Sequence, residues 1–427
     1  MLVRHLSLVD FRNYATAEVD LEPGPNLFVG SNGQGKTNLV ESLGYLSSLG
    51  SHRVSVDHAM IRAGQNAAIV RARLEHAGRE LLVEVQLNRS SANRAQVNRS
   101  VIKPRELPRY FSSVLFAPED LALIRGEPSG RRRFLDQLLV ARTPRLAGVQ
   151  SDYERVLKQR NTLLKSARAS GLRGANLSTL DIWDDRLVEL GSELIDERVQ
   201  LVGRLHPLVV DSYRSIAGAD HRPALSNRLS VLSAHPDADD SADDGFALPD
   251  GTTKDALTRE RITTLFREGL ARVRRQELDR GLTLIGPHRD DLVFELNNLP
   301  AKGYASHGES WSYALSLKLS AAALLRIESP TGDPVVILDD VFAELDEARR
   351  ERLAIAVADY QQVLITAAVF DDVPASLTPH TVRISAGTIV DPSVPFPEPE
   401  PDSFSEPVEG FPEPVEGLPE PVEGDTP

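Results

Sequence analysis

Alternating apolar and polar positions dominate the first part of the chain. The segments LVRHLSLVDF, AAIVRARLEH and RELLVEVQLN place apolar side chains at every second position, which is the period of a half-buried strand. One stretch, NLVESLGYL at residues 38–46, carries helical spacing instead. The pattern therefore predicts an α/β region that is rich in strands over residues 1–115.

The apolar period becomes helical in the middle of the chain. The segments DLALIRGEPSGRRRFLDQLLV, YERVLKQRNTLLKSA and DIWDDRLVELGSELIDERVQLVGRL carry apolar residues three and four positions apart. Residues 225–256 are rich in Asp, Ser, Pro and Gly, which predicts a mobile acidic loop. Helical spacing then resumes, and α/β character returns from residue 280. We expect one α/β lobe over 1–115 and 280–390, and a mostly helical lobe over 116–279.

The C-terminal residues 391–427 repeat EPVEG three times and contain eleven acidic residues but no Lys or Arg. Proline in every repeat forbids a continuous helix, so this segment is predicted to be a disordered acidic tail. With six further Asp at residues 236–250, it accounts for the formal charge of −14. Outside these two segments the chain is not acidic. Residues 51–110 hold eleven Lys and Arg against five acids. That surplus could contact phosphate backbones or could be a solvated strand face.

Length and composition exclude several classes of protein. A chain of 427 residues exceeds one compact core, so two or three domains are expected. It contains no cysteine, which excludes disulfides, thiolate metal sites and cysteine nucleophiles. No apolar run reaches the length of a signal peptide core or a membrane span. We expect a cytoplasmic protein with no membrane partner.

The chemistry begins at GSNGQGKT, residues 30–37, between an apolar run and a helical segment. This spacing in a strand–loop–helix context is that of a phosphate-binding loop. Glycines let backbone N–H groups converge on phosphate oxygens at a helix N-terminus. Lys36 is predicted to contact the β and γ phosphates, and the Thr37 hydroxyl to ligate Mg²⁺. The predicted phosphate contacts are Gly30, Ser31, Asn32, Gly33, Gln34, Gly35, Lys36 and Thr37.

A second nucleotide motif is PVVILDDVFAELD at residues 334–346. A buried strand that ends in carboxylates can place Asp339 beside the phosphate-bound metal and Asp340 beside the attacking water. About 300 residues separate Lys36 from Asp339, far more than a single βαβ unit needs, so the nucleotide-binding sheet is predicted to be interrupted. The chain lacks the N-K-x-D guanine motif, so adenine is the default base.

A third motif opens the segment YASHGESWSYALSLKLSAAALLR at residues 304–326. The Ser306 hydroxyl, the Gly308 amide and the N-terminus of the following helix together form a second anion site. A single chain already has one anion site for the nucleotide, its own phosphate loop. A homodimer in which this turn covers the γ-phosphate held by the partner would use both sites.

These motifs resemble those of the ABC-type ATPases of the SMC class, including a D-loop-like AELD after the Asp–Asp strand. Longer blocks resemble the RecF family of bacterial recombination mediators more closely. They are FRNY at 11–14, FAPEDLALIRGEPSGRRRFLD at 116–136, YERVLKQRNTLLK at 153–165 and GPHRDDL at 286–292. The resemblance runs in order from about residue 1 to residue 370.

The resemblance implies an ABC-type ATPase head with a smaller helical lobe. It implies ATP and Mg²⁺ as cofactors, an ATP-dependent homodimer, slow hydrolysis, and DNA as ligand at single-strand gaps and duplex junctions. The implied partners are RecO and RecR, in loading RecA during recombinational repair and replication restart. It carries over Lys36 and Thr37 as phosphate and Mg²⁺ contacts, Asp339 as the Walker B acid, Asp340 as the catalytic acid, Ser306 and Gly308 as the signature turn, and Asp346 as the D-loop acid.

Two features depart from the implied pattern. The signature reads SHGESW where S-Q-G-E-Q-R is typical, and LITAAVFDD offers Thr366 where transporters carry a switch histidine. A transporter-type ATPase subunit, an SMC-like structural head and an ATP-binding scaffold without turnover remain alternatives. Arg131, Arg132 and Arg133 could bind DNA phosphate or pair with Asp136. GPHRDD lacks zinc-ligand spacing, so salt bridges are expected there.

Overall fold

The computed structural model describes residues 1–170, 178–233, 257–328 and 332–390. Its strands are β1 Leu2–Phe11, β2 Tyr14–Asp20, β3 Gly24–Val29, β4 Ala67–His76, β5 Arg79–Asn88, β6 Arg94–Val97, β7 Ser100–Ile102, β8 Ser113–Phe116, β9 Ala224–Arg228, β10 Asp291–Leu296, β11 Leu299–Pro300, β12 Val335–Asp339, β13 Gln362–Ala367, β14 His380–Ser385 and β15 Thr388–Val390. Its helices are α1 Lys36–Ser48, α2 Leu121–Arg125, α3 Pro128–Arg142, α4 Leu146–Ala169, α5 Ser178–Ala217, α6 Arg259–Arg280, α7 Ala301–Tyr304, α8 His307–Glu328 and α9 Glu347–Val357.

Two six-stranded sheets carry the α/β part. The alternating N-terminal segments form an antiparallel sheet in the order β2-β1-β4-β5-β6-β7. The second sheet has the order β15-β14-β3-β13-β12-β8, and its strands are parallel except for β15. The four buried residues that begin β12 and the fully buried β13 fit the continuous apolar runs of a parallel sheet. The predicted interruption is confirmed, because β3 and β12 share a sheet across a long excursion of the chain.

After β8 the described part of that excursion is mainly helical, as predicted, with helices α2 to α6. The predicted loop over 225–256 begins too early, because residues 224–228 form β9 and pair with β10 in a three-stranded sheet. The Asp- and Ser-rich composition hid this strand. The remainder of that loop from residue 234, and the predicted tail over 391–427, lie outside the described residues.

Three hydrophobic cores lie between these layers. The first packs one face of the parallel sheet against α3, α8 and the C-terminal half of α5. The second fills the space between the two large sheets around α1. The third joins α4, α6 and the N-terminal half of α5. Helix α5 therefore belongs to two cores, while the proposed division into lobes at residues 116 and 279 stays a prediction. Across the described residues, no helix combines the length and apolar character that crossing a bilayer requires.

Candidate nucleotide-binding site

The predicted phosphate loop joins the end of β3 to the first residue of α1. Gly33 and Gly35 adopt φ of 80° and 116°, which favour glycine. A Cβ at Gly30 would lie 2.2 Å from the carbonyl oxygen of Ile384, and one at Gly35 would lie 2.7 Å from Asn13 Nδ2. The glycines are therefore required both by the turn and by close neighbours.

Lys36 is buried at the N-terminus of α1 and points back along the loop. Its Nζ donates to the carbonyl oxygens of Gly30 at 2.5 Å and Ser31 at 3.0 Å. Burial lowers the pKa of Lys36, while the carboxylates of Asp340 and Asp339 oppose that shift. The side chain is thus a cation enclosed by the loop that is predicted to hold phosphate.

Asp339 ends β12 and joins the Walker B strand to the phosphate loop. Its Oδ1 accepts hydrogen bonds from Thr37 Oγ1 at 2.9 Å and from Thr366 Oγ1 at 2.6 Å. Because Thr37 donates its proton to Asp339, its lone pairs remain available to a cation. A hydroxyl beside a carboxylate suits the oxygen preference of Mg²⁺, so the residues present fit that ion.

Asp340 follows in a strained backbone conformation. Its φ is 54°, a left-handed value that is uncommon for a residue with a side chain. Its N–H donates to Thr366, to the carbonyl oxygen at 3.2 Å and to Oγ1 at 2.9 Å. Burial raises the pKa of Asp340, Lys36 opposes that shift, and Asp339 adds to it. The two adjacent carboxylates therefore have different surroundings. Asp339 accepts hydrogen bonds from two threonines, whereas Asp340 interacts with the charge of Lys36.

The FRNY segment supports the phosphate loop from the β1–β2 hairpin. Tyr14 Oη donates to the Gly35 carbonyl oxygen at 3.1 Å, and Asn13 Nδ2 donates to the Gln34 carbonyl oxygen at 3.1 Å. Gln34 is also held from β14–β15, since its backbone oxygen accepts from Gly387 N at 3.0 Å. The block that resembled a family signature is thus a structural support of the site.

Sequence reasoning missed the loop that follows α1. His52 Nε2 lies 3.6 Å from Asp339 Oδ2. This nitrogen is buried and has no hydrogen-bond partner among the described residues. SHR at 51–53 belongs to no nucleotide motif that we recognised, and only the fold brings it beside β12.

The signature turn is organised around the start of α8. Ser306 Oγ accepts from Glu309 N at 3.3 Å, and Glu309 Oε2 accepts from Ser306 N at 2.8 Å, which is a capping box. Arg349 connects the turn to the D-loop, because its Nη1 donates to Asp346 Oδ2 at 2.8 Å and its guanidinium fills the space beside Gly308. Asp346 also caps α9 through Arg349 N. Ser310 and Trp311, which differ from the typical signature sequence, are buried.

The GPHRDD segment and two of the three arginines form one network. Arg131 pairs with Asp291 through two hydrogen bonds of 2.6 and 2.8 Å and is buried. Neither alternative for Arg131 holds, since it is unavailable to DNA and its partner is not Asp136, which pairs with Arg198. Arg132 donates to the Asp290 carbonyl oxygen at 2.7 Å, and Arg133 is exposed.

Comparison with known proteins agrees with this arrangement. The RecF/RecN/SMC N-terminal domain family matches residues 2–386. The DNA replication and repair protein RecF of Leifsonia xyli subsp. xyli is 68% identical over 393 residues, which cover 92% of this chain and 100% of that protein. RecF of Clavibacter michiganensis subsp. michiganensis is 65% identical over 401 residues, which cover 94% of this chain and 98% of that protein.

Solved structures agree as well. The ATP form of the recombination mediator protein RecF of the RecFOR pathway is 26% identical with a TM-score of 0.78, covering 91% of this chain and 96% of that chain. The ATPrS form is 25% identical with the same TM-score, covering 91% of this chain and 97% of that chain. The predicted ABC-type head fold is thereby confirmed. The chain belongs to the RecF family of DNA replication and repair proteins.

Proposed function

We propose that the chain is an ATP-controlled DNA-binding protein of recombinational repair and replication restart. In this proposal ATP and Mg²⁺ close a homodimer on DNA, and slow hydrolysis reopens it. The hydrogen bond of 2.9 Å between Thr37 and Asp339 carries the proposal, because it joins the phosphate loop to the Walker B acid in one metal-ready pair. The relatives' names for DNA repair, and the ATP form of a RecF structure, support the assignment.

Nucleotide binding would rest on residues 30–37. Their backbone amides and Lys36 would hold the phosphates, while Thr37 and Asp339 would hold Mg²⁺. Mg²⁺, when bound, neutralises charge on the β and γ phosphates. Asp340, whose pKa burial raises, would orient and deprotonate the attacking water. Slow proton transfer by a single carboxylate suits a timer rather than a fast ATPase.

Dimerisation would use the signature turn and the D-loop. Ser306 is exposed at the start of α8, and the Asp346 side chain is 56% exposed. Both lie at N-termini of helices, and the N-terminus of α8 at Ser306 would stabilise an approaching phosphate. Arg349 contacts both elements, because it bonds to Asp346 and lies beside Gly308. We therefore assign Ser306, Gly308 and Asp346 to the ATP held by the partner subunit.

DNA contact would use a groove of about 690 Å³ between the end of α1 and helices α3 to α5. Four arginines line it, namely Arg105, Arg132, Arg133 and Arg198. Arg105 and Arg133 are exposed, whereas Arg198 is paired with Asp136. Arginine contacts to backbone phosphates make binding salt-dependent and weakly sequence-specific. DNA at single-strand gaps and duplex junctions is the expected ligand, and RecO and RecR are the expected partners in loading RecA.

Sedimentation velocity with and without Mg-ATP, on a short gapped duplex and alone, tests the proposal. The wild-type chain should form ATP-dependent dimers that hold the DNA. Lys36→Ala should abolish ATP-dependent assembly, whereas Asp340→Asn should leave ATP-bound dimers that persist after wild-type dimers have dissociated. Equal loss in both variants would contradict the timer. Persistent wild-type dimers without phosphate release would instead favour an ATP-binding scaffold.

A further inference from the structure

The two oxygens of the Asp339 carboxylate have different surroundings. Oδ1 accepts from two threonine hydroxyls, Thr37 and Thr366. Oδ2 faces His52 Nε2 at 3.6 Å, and the Asp339 side chain is 3% exposed. Carboxylates that bind a metal are themselves held in orientation by hydrogen bonds. One side is already fixed, so the other depends on His52.

His52 Nε2 lacks a hydrogen bond to any described residue although it is buried. An unsatisfied buried polar atom is unfavourable, so a nearby acceptor will be taken up when one is within reach. The nearest carboxylate oxygen is about 0.6 Å beyond the usual N–H···O separation. A side-chain movement of that size would bring Nε2 within hydrogen-bond distance of Asp339 Oδ2.

The backbone around His52 is held in place by a polar network. The buried carboxylate of Glu41 accepts from Arg12 Nε at 2.8 Å and Nη2 at 2.6 Å, and it accepts a short hydrogen bond from Ser51 Oγ. Ser51 Oγ in turn accepts from Arg53 N at 2.9 Å. Residues 51–53 are thus tied to α1 and to the FRNY segment, and this network holds His52 beside Asp339.

We propose that His52 is a positioning residue of the nucleotide site, which donates from Nε2 to Asp339 Oδ2 and orients that carboxylate for Mg²⁺. The inference rests on the proposed function, since it concerns the Mg²⁺-dependent part of nucleotide binding. His52 acts through Asp339 rather than on the nucleotide itself.

The test compares three replacements of His52 by the affinity for a fluorescent ATP analogue, with Mg²⁺ and with EDTA. His52→Ala should reduce the gain in affinity that Mg²⁺ provides by about tenfold, as loss of an outer support of a metal site does. His52→Gln places its amide nitrogen near the position of Nε2 and should retain most of that gain. His52→Asn reaches only the position of Nδ1 and should behave like Ala.

Two controls separate this role from packing. Melting without nucleotide should be alike for the variants, and His58→Ala, at an exposed histidine nearby, should keep the full Mg²⁺ gain. Equal Mg²⁺ gains in wild type and His52→Ala would overturn the inference. Equal loss in His52→Gln and His52→Ala would also overturn it, in favour of simple packing. A wild-type chain that does not bind the analogue would instead reject the proposed function.

Discussion

A single hydroxyl, that of Thr366, contacts both carboxylate residues of the site. It donates to Asp339 Oδ1 and accepts from the N–H of Asp340. One atom therefore fixes the Walker B acid and the strained turn after it. Transporters carry a switch histidine in this region, whereas this chain builds the junction around a threonine.

Replacing this hydroxyl should impair turnover more than it impairs the fold. Thr366→Val keeps the shape but removes two hydrogen bonds, so the free energy of unfolding should fall by about 1–3 kcal/mol. The ATPase rate should drop by tenfold or more because Asp339 and Asp340 lose their common support. Thr366→Ser keeps the hydroxyl and should stay within a few fold of wild type. Steady-state phosphate release measures the ATPase rate, and denaturant titration measures the free energy of unfolding. An unchanged ATPase rate in Thr366→Val would contradict the proposed role of the hydroxyl.

A second residue-scale feature is the partly buried His288, which should make stability depend on pH. Its Nδ1 contacts Tyr153 Oη at 2.7 Å, and burial lowers its pKa to about 3. A neutral histidine in the folded state stabilises the protein fully above its unfolded pKa of about 6.5, and this stabilisation is lost as the pH falls from there towards the folded value. Asp290 acts with the opposite sign, since burial raises its pKa to about 6.

Comparison with His288→Asn isolates the histidine, because Asp290 is common to both proteins. Between pH 7 and pH 5 the wild type should lose about 2 kcal/mol of unfolding free energy relative to the variant. Urea denaturation at several pH values measures this difference. Parallel pH profiles would show that His288 is not held neutral.

The sequence identified the residues of the site that lie in contiguous motifs. Thr37, Asp339 and Asp340 could be named because each stands at a fixed offset in a strand–loop segment. His52 could not, since its meeting with Asp339 depends on where the loop after α1 lies over the parallel sheet. The partner of Arg131 was missed for the same reason, because Asp291 lies 160 residues further along.

At the scale of elements, the spacing of apolar and polar residues predicted the helices and the alternating strands, but it did not predict β9. Its sequence ALSNR ends in three consecutive polar residues and precedes an Asp-rich segment. Pairing with β10 and burial of Leu225 and Asn227 make it a strand. Tertiary contacts therefore overrode local composition, as is common for short strands.

The helices α4, α5 and α6 are joined by a buried ionic network. Arg160 lies on α4 and bonds to Asp184 of α5 and Glu277 of α6, each at 2.6 Å. Thr283 accepts from the same guanidinium at 2.8 Å. Arg160 and Glu277 are fully buried, so each depends on the other for compensation.

Breaking this network should be costly. Glu277→Ala leaves part of a buried guanidinium uncompensated and should lower the free energy of unfolding by about 3–5 kcal/mol. Arg155→Ala, which removes an exposed pair with Asp152 on α4, should cost less than about 1 kcal/mol. Chemical denaturation distinguishes the two. Similar small losses in both variants would mean that Arg160 does not need Glu277.

For the whole molecule, the shared helix α5 bears on how the chain unfolds. Residues Met1–Asp391 form one compact unit. Leu201, Leu205 and Val209 of α5 lie in the core beneath the parallel sheet, while Leu187 and Leu194 lie in the helical core. The two predicted lobes thus share a continuous element, which favours a single cooperative transition.

The two tryptophans report on these cores separately. Trp183 packs against the helical core and Trp311 is buried beneath the parallel sheet. In the single-tryptophan variants Trp183→Phe and Trp311→Phe, fluorescence during urea titration should give coincident midpoints. An earlier transition at Trp183 would show that the helical core unfolds on its own and would support two independent domains.

Helix α5 also has a mechanical consequence. Its 40 residues make a rod of about 60 Å. A tilt of about 5° at Pro207 would displace the N-terminal end of the helix, about 44 Å away, by roughly 4 Å. Pro207 lies inside the helix and removes one backbone hydrogen bond, so bending is easiest near the end that is fixed to the ATPase core. A small rearrangement around the phosphates would therefore cause a larger displacement at the N-terminal end of α5, as in a lever whose fulcrum lies near Pro207.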